Sequence, residues 1–296
     1  MVHTRPTISV VIPTFDDWDP LEKCLACLAA QDLDPELFEI IIANNNASNV
    51  VPDSLIVPEN ARVIWVEKPG SYAARNAAMQ IAGGQFIFFT DSDCLPNSDW
   101  LSAGLAVFRA QPDIIRCAGA IDVYPASGTW NGASLFDALF SLQQAKLVKT
   151  GRAATANLAV RRCAFDVVGA FRESSFSGGD MEWNERAQAA GLCLKYVPDM
   201  IVRHPARDRL AQHVRKTARK TGASYTEQAK ARSSHQLVPP LENVFPSVRA
   251  LSTIFAAKDV PFRLSMAVWG VHSYLRWVKL IEVIRLGWFN TNPERR

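Results

Sequence analysis

Two carboxylates, Asp91 and Asp93, flank Ser92 directly after the apolar run FIFFT (86–90). At i and i+2 past a strand end they can share one hard cation and its water ligands. Oxygen donors of this kind favour Mg²⁺ or Mn²⁺, ions that complete their shell with substrate phosphates. The tripeptide alone reads equally as a solvated turn capping the next helix. Arg75 is a conspicuous long cation in an alanine-rich helical stretch, and its planar fork suits phosphate oxygens. Asp180 follows Gly178-Gly179 and opens a helical stretch through Trp183 and Arg186 to Gly191, which makes it an N-cap candidate. His204 follows a short apolar strand (200–202), where an imidazole can ligate Mn²⁺ or merely cap a turn.

The elements that must hold these side chains follow from periodicity. The first half alternates β-branched apolar runs with helical patterns: ISVVIP (8–13), a helix with Leu21, Leu25 and Leu28, EIIIA (39–43), RVIWV (62–66), a helix from Ser71 to about Ala82, then FIFFTD (86–91). Apolar runs without alternation predict strands covered on both faces, hence an α/β fold with a mostly parallel sheet flanked by helices. Ligands then bind beyond the carboxyl ends of the strands. Those ends carry Pro13-Thr14-Phe15-Asp16-Asp17, Asn44-Asn45-Asn46 and Asp91-Ser92-Asp93-Cys94. From Ile114 the strands read as mixed, with a loop and helix over 124–149, a strand at 157–160, a helix from Asp180 and a strand at 193–197. Expected boundaries are a domain over 1–205, in halves 1–113 and 114–205, and a helical C-terminal extension over 206–296. Within the extension, 207–235 reads as a basic polar helix. Residues 262–289 form a long apolar pattern in which His272, Arg276, Lys279, Glu282 and Arg285 recur every three or four residues, as one polar stripe would. Those charges argue against a transmembrane span.

Composition narrows the class. With 48% hydrophobic residues in 296, a sizeable buried core is expected. A net charge of +3 does not imply a polyanionic partner, so no nucleic acid is expected, although basic residues crowd between Arg203 and Arg232. The six cysteines lack the spacing of a disulfide scaffold or zinc ribbon; Cys24 and Cys27 form a CxxC, but on an amphipathic helix with no second pair. A reducing cytoplasm fits, and the N-terminus has no secretory pattern. No GxGxxG follows Ile8–Ile12, against a dinucleotide oxidoreductase, and no glycine-rich basic loop is present, against a nucleotidyltransferase.

The stretch KPGSYAARNAAMQIAGGQFIFFTDSDC (68–94) resembles the family 2 glycosyltransferases. So, in the same order, do VIPTF (11–15), TANLAVRR (155–162) and SGGDMEWNER (177–186), together covering roughly residues 8 to 204. The resemblance implies a GT-A fold, Rossmann-like, whose residues 1–113 bind a nucleoside-diphosphate sugar and whose 114–205 face the acceptor. It would put Pro13, Thr14 and Phe15 at the base and ribose, with Asp16 or Asp17 near them, and Arg75, Asp91 and Ser92 on the donor. Asp91, Asp93 and His204 would hold Mn²⁺ or Mg²⁺. Asp180 would be the catalytic base of an inverting displacement, with Glu182 its rival. Three departures stand out. Asn44 replaces an Asp that meets a uracil imide, which leaves the base open with a UDP-sugar favoured; Gly179 replaces a Glu; and Lys216 replaces the Trp of the processive signature after Gln212. Transfer of single sugars is therefore implied, to a saccharide or lipid-linked acceptor in bacterial polysaccharide or glycolipid synthesis, with 124–155 lining the acceptor. The basic and aromatic extension suggests peripheral contact with the inner face of the membrane. The alternative is a catalytically inactive nucleotide-sugar-binding or scaffold protein of the same fold.

Overall fold

The computed structural model of the chain describes residues 5–46, 50–175, 177–231, 245, 247–257 and 259–288, without the side chains of 227–231. It divides into two compact units. One comprises 1–122, 143–175 and 179–204; the other comprises 123–142, 176–178 and 205–296.

The first unit is built on β1 (Ile8–Thr14), α1 (Trp18–Ala29), β2 (Phe38–Asn44), β3 (Ala61–Trp65), α2 (Ser71–Ile81), β4 (Phe86–Phe89), β5 (Leu95–Pro96), α3 (Trp100–Ala110) and β6 (Ile114–Tyr124). After α4 (Gly132–Phe140), which belongs to the second unit, it continues with α5 (Gln144–Val148), β7 (Leu158–Arg161), α6 (Cys163–Val168), α7 (Gly179–Ala189) and β8 (Cys193–Pro205). The strands form one sheet in the order β3-β2-β1-β4-β7-β6-β8-β5. The pairs β1–β2, β1–β4 and β2–β3 are parallel, whereas β4–β7, β6–β7 and β5–β8 are antiparallel. The sheet is thus mixed, and its parallel part coincides with the non-alternating apolar runs.

Alternation along those runs feeds two cores. Ile8, Val10 and Ile12 of β1 pack with Leu21, Cys24, Leu25 and Leu28 of α1, while Val11 faces Ala74 and Ala78 of α2 on the other side. The α1 residues recur at i, i+3, i+4 and i+7, the face of a helix, and each fully buried leucine is worth about 1.5–3 kcal/mol. Small alanines on α2 let that helix lie close to β1 and β2. Gly84 is required, since a Cβ there would stand 2.4 Å from the Ser9 amide nitrogen.

The second unit contains α4, α8 (Leu210–Ala231), α9 (Val248–Phe255) and α10 (Phe262–Trp288). The last residues of the helix expected over 207–235 lie outside the described set. Leu135, Ala250, Ile254 and Val268 form its core. Asp137 of α4 is 1% exposed and accepts from Arg207 N at 3.0 Å, Arg207 Nη1 at 3.3 Å and Lys216 Nζ at 3.2 Å. Burial works against its charge, but Lys216 and Arg207 hold the carboxyl well below the usual range; burial in turn pushes Lys216 down to about 8. Glu282, expected on the polar stripe of α10, is buried against Arg285 at 2.7 Å. The exposed residues of that helix are mostly apolar, but Arg263 and Lys279 are among them.

Candidate active site

The carboxyl ends of β1, β2 and β4 do carry the residues singled out by sequence. Parallel pairing sets Thr14 opposite Asn44. Pro13 is half-buried, Phe15 is exposed, and Asp16 takes a left-handed backbone at φ 60°, an uncommon conformation that turns the chain sharply after the strand. Thr14 is buried and its Oγ1 has no hydrogen-bond partner. Asn44 is fully buried: its Oδ1 accepts from the Asn46 amide at 3.0 Å and its Nδ2 has no partner. Its neighbour Asn45, not singled out from sequence, is the working clamp. Asn45 Nδ2 donates to the carbonyls of Val66 (2.8 Å) and Lys68 (2.7 Å), and Oδ1 accepts from Gly70 N at 2.5 Å. Three of its four hydrogen-bonding positions go into fixing the loop that launches α2.

Beyond β4, the chain turns through Asp91 to Cys94, whose amide donates to the Asp91 carbonyl at 3.1 Å, and enters β5. Ser92 is buried in this turn. Antiparallel pairing sets Leu95 opposite Arg203, which carries Asp93 and Cys94 to His204 at the end of β8. His204 Nε2 lies 3.8 Å from Asp93 Oδ2, with the imidazole 5% and the carboxylate 39% exposed. Asn157 fixes β8 here, donating to the carbonyls of Ala120 (2.7 Å) and Met200 (2.8 Å). Ligand atoms of Asp93, Cys94 and His204 all lie within 4.8 Å of one another. The Cys94 thiol is held well above its ordinary value, by burial first and then by the charges of Asp91 and Asp93, so it stays protonated and is a poor donor to a hard cation. Asp93 and His204 supply oxygen and nitrogen donors that suit Mn²⁺. Asp17 converges on the same place, its carboxyl pushed up by burial, then by Asp93 and Asp16. Negative charge is thus concentrated where a cation would relieve it.

Asp91 is held by Arg75. Its Oδ1 accepts from Nη2 of buried Arg75, whose Nε has no hydrogen-bond partner. Arg75 also lies over the Tyr72 ring, 5.7 Å from its centroid. Tyr72 sits three residues earlier on α2, hence on the same face, and donates its hydroxyl to Asp180 Oδ1 at 3.0 Å. Burial, then the charge of Asp180, pushes the Tyr72 phenol up, so it keeps its proton and remains a donor. The i, i+3 spacing of Tyr72 and Arg75 was visible in sequence, but their partners lie 16 to 108 positions away.

Asp180 stands second in α7, inside the first turn, half-buried, and not at the N-cap. Below it, fully buried Arg116 donates to Asn184 Oδ1 at 2.6 Å and to the carbonyl of Leu192 at 2.6 Å, and Asn184 donates to the Asp180 carbonyl at 2.9 Å. Burial lowers Arg116 to about 10, so it stays charged. Glu182, the rival base, is bound by Arg186 at 2.8 Å and Arg172 at 3.2 Å. Gly179 has a direct steric reason: a Cβ there would lie 2.7 Å from the Tyr72 ring.

Residues 9–169 match the sequence profile described as glycosyl transferase family 2. Glycosyltransferase AglE of Haloferax volcanii is 30% identical over 213 residues, 70% of this chain and 69% of that protein. The pre-mycofactocin glycosyltransferase of Mycobacterium tuberculosis is 25% identical over 236 residues, 74% of this chain but 48% of that protein. Among solved structures, the mannosyltransferase PcManGT of Pyrobaculum calidifontis, in complex with GDP-Man and Mn²⁺, superposes with TM-score 0.60 at 16% identity, covering 97% of this chain and 89% of that one. Residues 1–349 of Staphylococcus aureus TarS with UDP-GlcNAc give 0.55 at 16%, covering 94% and 89%.

Proposed function

The chain belongs to glycosyltransferase family 2 and is a glycosyltransferase; from that premise we propose that it moves one sugar at a time from a nucleoside-diphosphate sugar to an acceptor hydroxyl, with inversion. The observation that carries this reading is the arrangement, within one compact unit, of Asp180 bound to Tyr72, Arg75 bound to Asp91, and Asp93 beside His204. A UDP-sugar is the favoured donor, and a saccharide or lipid-linked acceptor in polysaccharide or glycolipid synthesis fits the relatives' activity as glycosyltransferases.

Asp93 and His204 would hold Mn²⁺ or Mg²⁺, with Asp91 kept in place by Arg75. A divalent cation there would supply positive charge to the departing diphosphate. The rest falls to the chain itself. The loop from Pro13 to Asp17 borders the nucleoside, with exposed Phe15 free to stack on a base. Asp180 takes the proton of the acceptor hydroxyl as its oxygen attacks the anomeric carbon, so that the entering oxygen and leaving diphosphate lie on opposite faces and the configuration inverts. Tyr72 aims that carboxylate. Asp180, which accepts from a neutral phenol, is the better base than Glu182, which two arginines already neutralise.

The test is thermal stabilisation of the protein by a panel of nucleoside diphosphates and their sugars, with and without Mn²⁺, since ligands that bind only the folded state raise its apparent stability. A metal-dependent shift, absent in Asp93→Ala, together with product of inverted anomeric configuration by NMR, supports the reading. No shift with any nucleotide would favour the inactive scaffold instead.

A further inference from the structure

The C-terminal helix α10 is apolar on both its buried and its exposed sides: it buries Val268, Leu275, Leu280, Val283 and Leu286. Its polar Ser265 and Glu282 are buried, while Phe262, Met266, Tyr274, Trp277, Ile281 and Trp288 are exposed, Trp288 to 71%. Spaced by four, eight, three, four and seven, with exposed Gly270 between Met266 and Tyr274, these residues fall on one face of the helix. A helix of 27 residues extends about 40 Å, so the stripe is long and narrow. Phe255 of α9 extends it, its ring stacked 6.3 Å from that of Phe262. No described helix is long and apolar enough to cross a membrane.

We infer that this outer face of α10 lies in the interface of an anionic lipid bilayer, parallel to its plane. Tyr and Trp rings with an apolar body and a polar tip suit the headgroup level. Charge selects the bilayer over a second copy of the chain. Residues 205–296 hold sixteen Lys and Arg against six Asp and Glu, a net of +10 in a protein whose total is +3. Arg263 lies within the stripe, and exposed Arg249 belongs to the neighbouring α9. Two copies meeting through this unit would bring +10 against +10, whereas an anionic surface attracts it. The inference does not depend on the donor, metal or acceptor proposed above.

Flotation of the full chain with vesicles of phosphatidylcholine alone, or with about one-third phosphatidylglycerol, tests it without reference to turnover. The protein should float with the anionic vesicles, less so in high salt, and remain behind with the neutral ones. Tyr274→Ser/Trp277→Ser/Ile281→Ser should lower the bound-to-free ratio by about tenfold or more. Arg249→Glu/Arg263→Glu should lower it as well, and Trp65→Ser, an exposed aromatic on β3, should leave it unchanged. Circular dichroism and thermal unfolding verify that each variant is folded; the two sets alter different chemistry, so loss of either fold leaves the other as the test. The inference is overturned if the parent protein ignores anionic vesicles, if the folded variants float as it does, or if the parent is a dimer that the triple variant dissociates while neither form binds lipid.

Discussion

Gly179→Ala isolates the contact that aims the proposed base. A Cβ there would lie 2.7 Å from Tyr72 Cε2 and 2.9 Å from Cδ2 and Cζ, whereas carbon atoms rest at about 3.5–4.0 Å. The ring must retreat by roughly 0.8 Å to reach that distance, yet Phe171 flanks it at 5.9 Å between centroids and its hydroxyl is tethered to Asp180. Overpacking costs about 1–3 kcal/mol, and replacing glycine by alanine in a helix returns about 0.5–1 kcal/mol. The net loss is therefore about 1–2 kcal/mol. Pulling the hydroxyl off a charged carboxylate forfeits about 1.5–3 kcal/mol, and if half of that is felt in the transition state, kcat falls by about four- to twelvefold. In a Tyr72→Leu background the new methyl meets no ring and should be neutral or stabilising, giving a coupling of about 1–3 kcal/mol. Urea unfolding of the four proteins at matched slopes, with steady-state turnover alongside, measures both quantities. Equal costs for Gly179→Ala in the two backgrounds would refute the contact.

Asp180→Asn should abolish turnover while nucleotide-induced thermal stabilisation persists, whereas Glu182→Gln should retain most of the turnover and lose stability through its two arginines; the reverse pattern in kcat would exchange their roles. Asp137→Asn should destabilise the protein by about 3–5 kcal/mol at neutral pH, because Arg207 and Lys216 are left beside a buried neutral amide. The folded Asp137 carboxyl is held below its unfolded value, so its contribution is complete above pH ~4 and drains away as pH falls through the folded value. The gap between parent and variant in thermal unfolding should accordingly narrow in acid; a gap independent of pH would mean that packing, and not charge, holds α4 to Arg207 and Lys216.

Strands β1, β2 and β4 were legible because each is a short apolar run whose residues serve two cores, and strand order then carried their carboxyl ends, with Asp91 and Asp93, to one edge. What sequence did not carry was the different surroundings of those carboxylates. Asp91 and Asp93 are equivalent in a tripeptide; only the β5–β8 pairing, which sets His204 beside Asp93, and the packing of α2, which sets Arg75 beside Asp91, separates them. Asn45 escaped notice because its three hydrogen bonds reach backbone 21 to 25 residues on. On α10 the polar residues do repeat as one stripe, but the spacing did not tell that Glu282 is buried against Arg285 while Lys279 is exposed.

Two departures from the family pattern, Gly179 and Asn44, had left an inactive nucleotide-sugar-binding protein as the alternative. Both have local physical causes that do not require loss of chemistry. The space a Glu side chain would enter at position 179 is filled by Tyr72, which brings a hydroxyl to Asp180 in its place. At position 44 the side chain is fully buried and turned onto the Asn46 amide; a carboxylate sealed there would lose its hydration with no cation against it, and a neutral amide is the cheaper occupant. An inactive relative would have no reason to keep Asp180 aimed by Tyr72, nor to desolvate an arginine in order to hold it on Asp91. Each departure therefore comes with a neighbour that accounts for it, which is the pattern of a site that has been adjusted and is still in use.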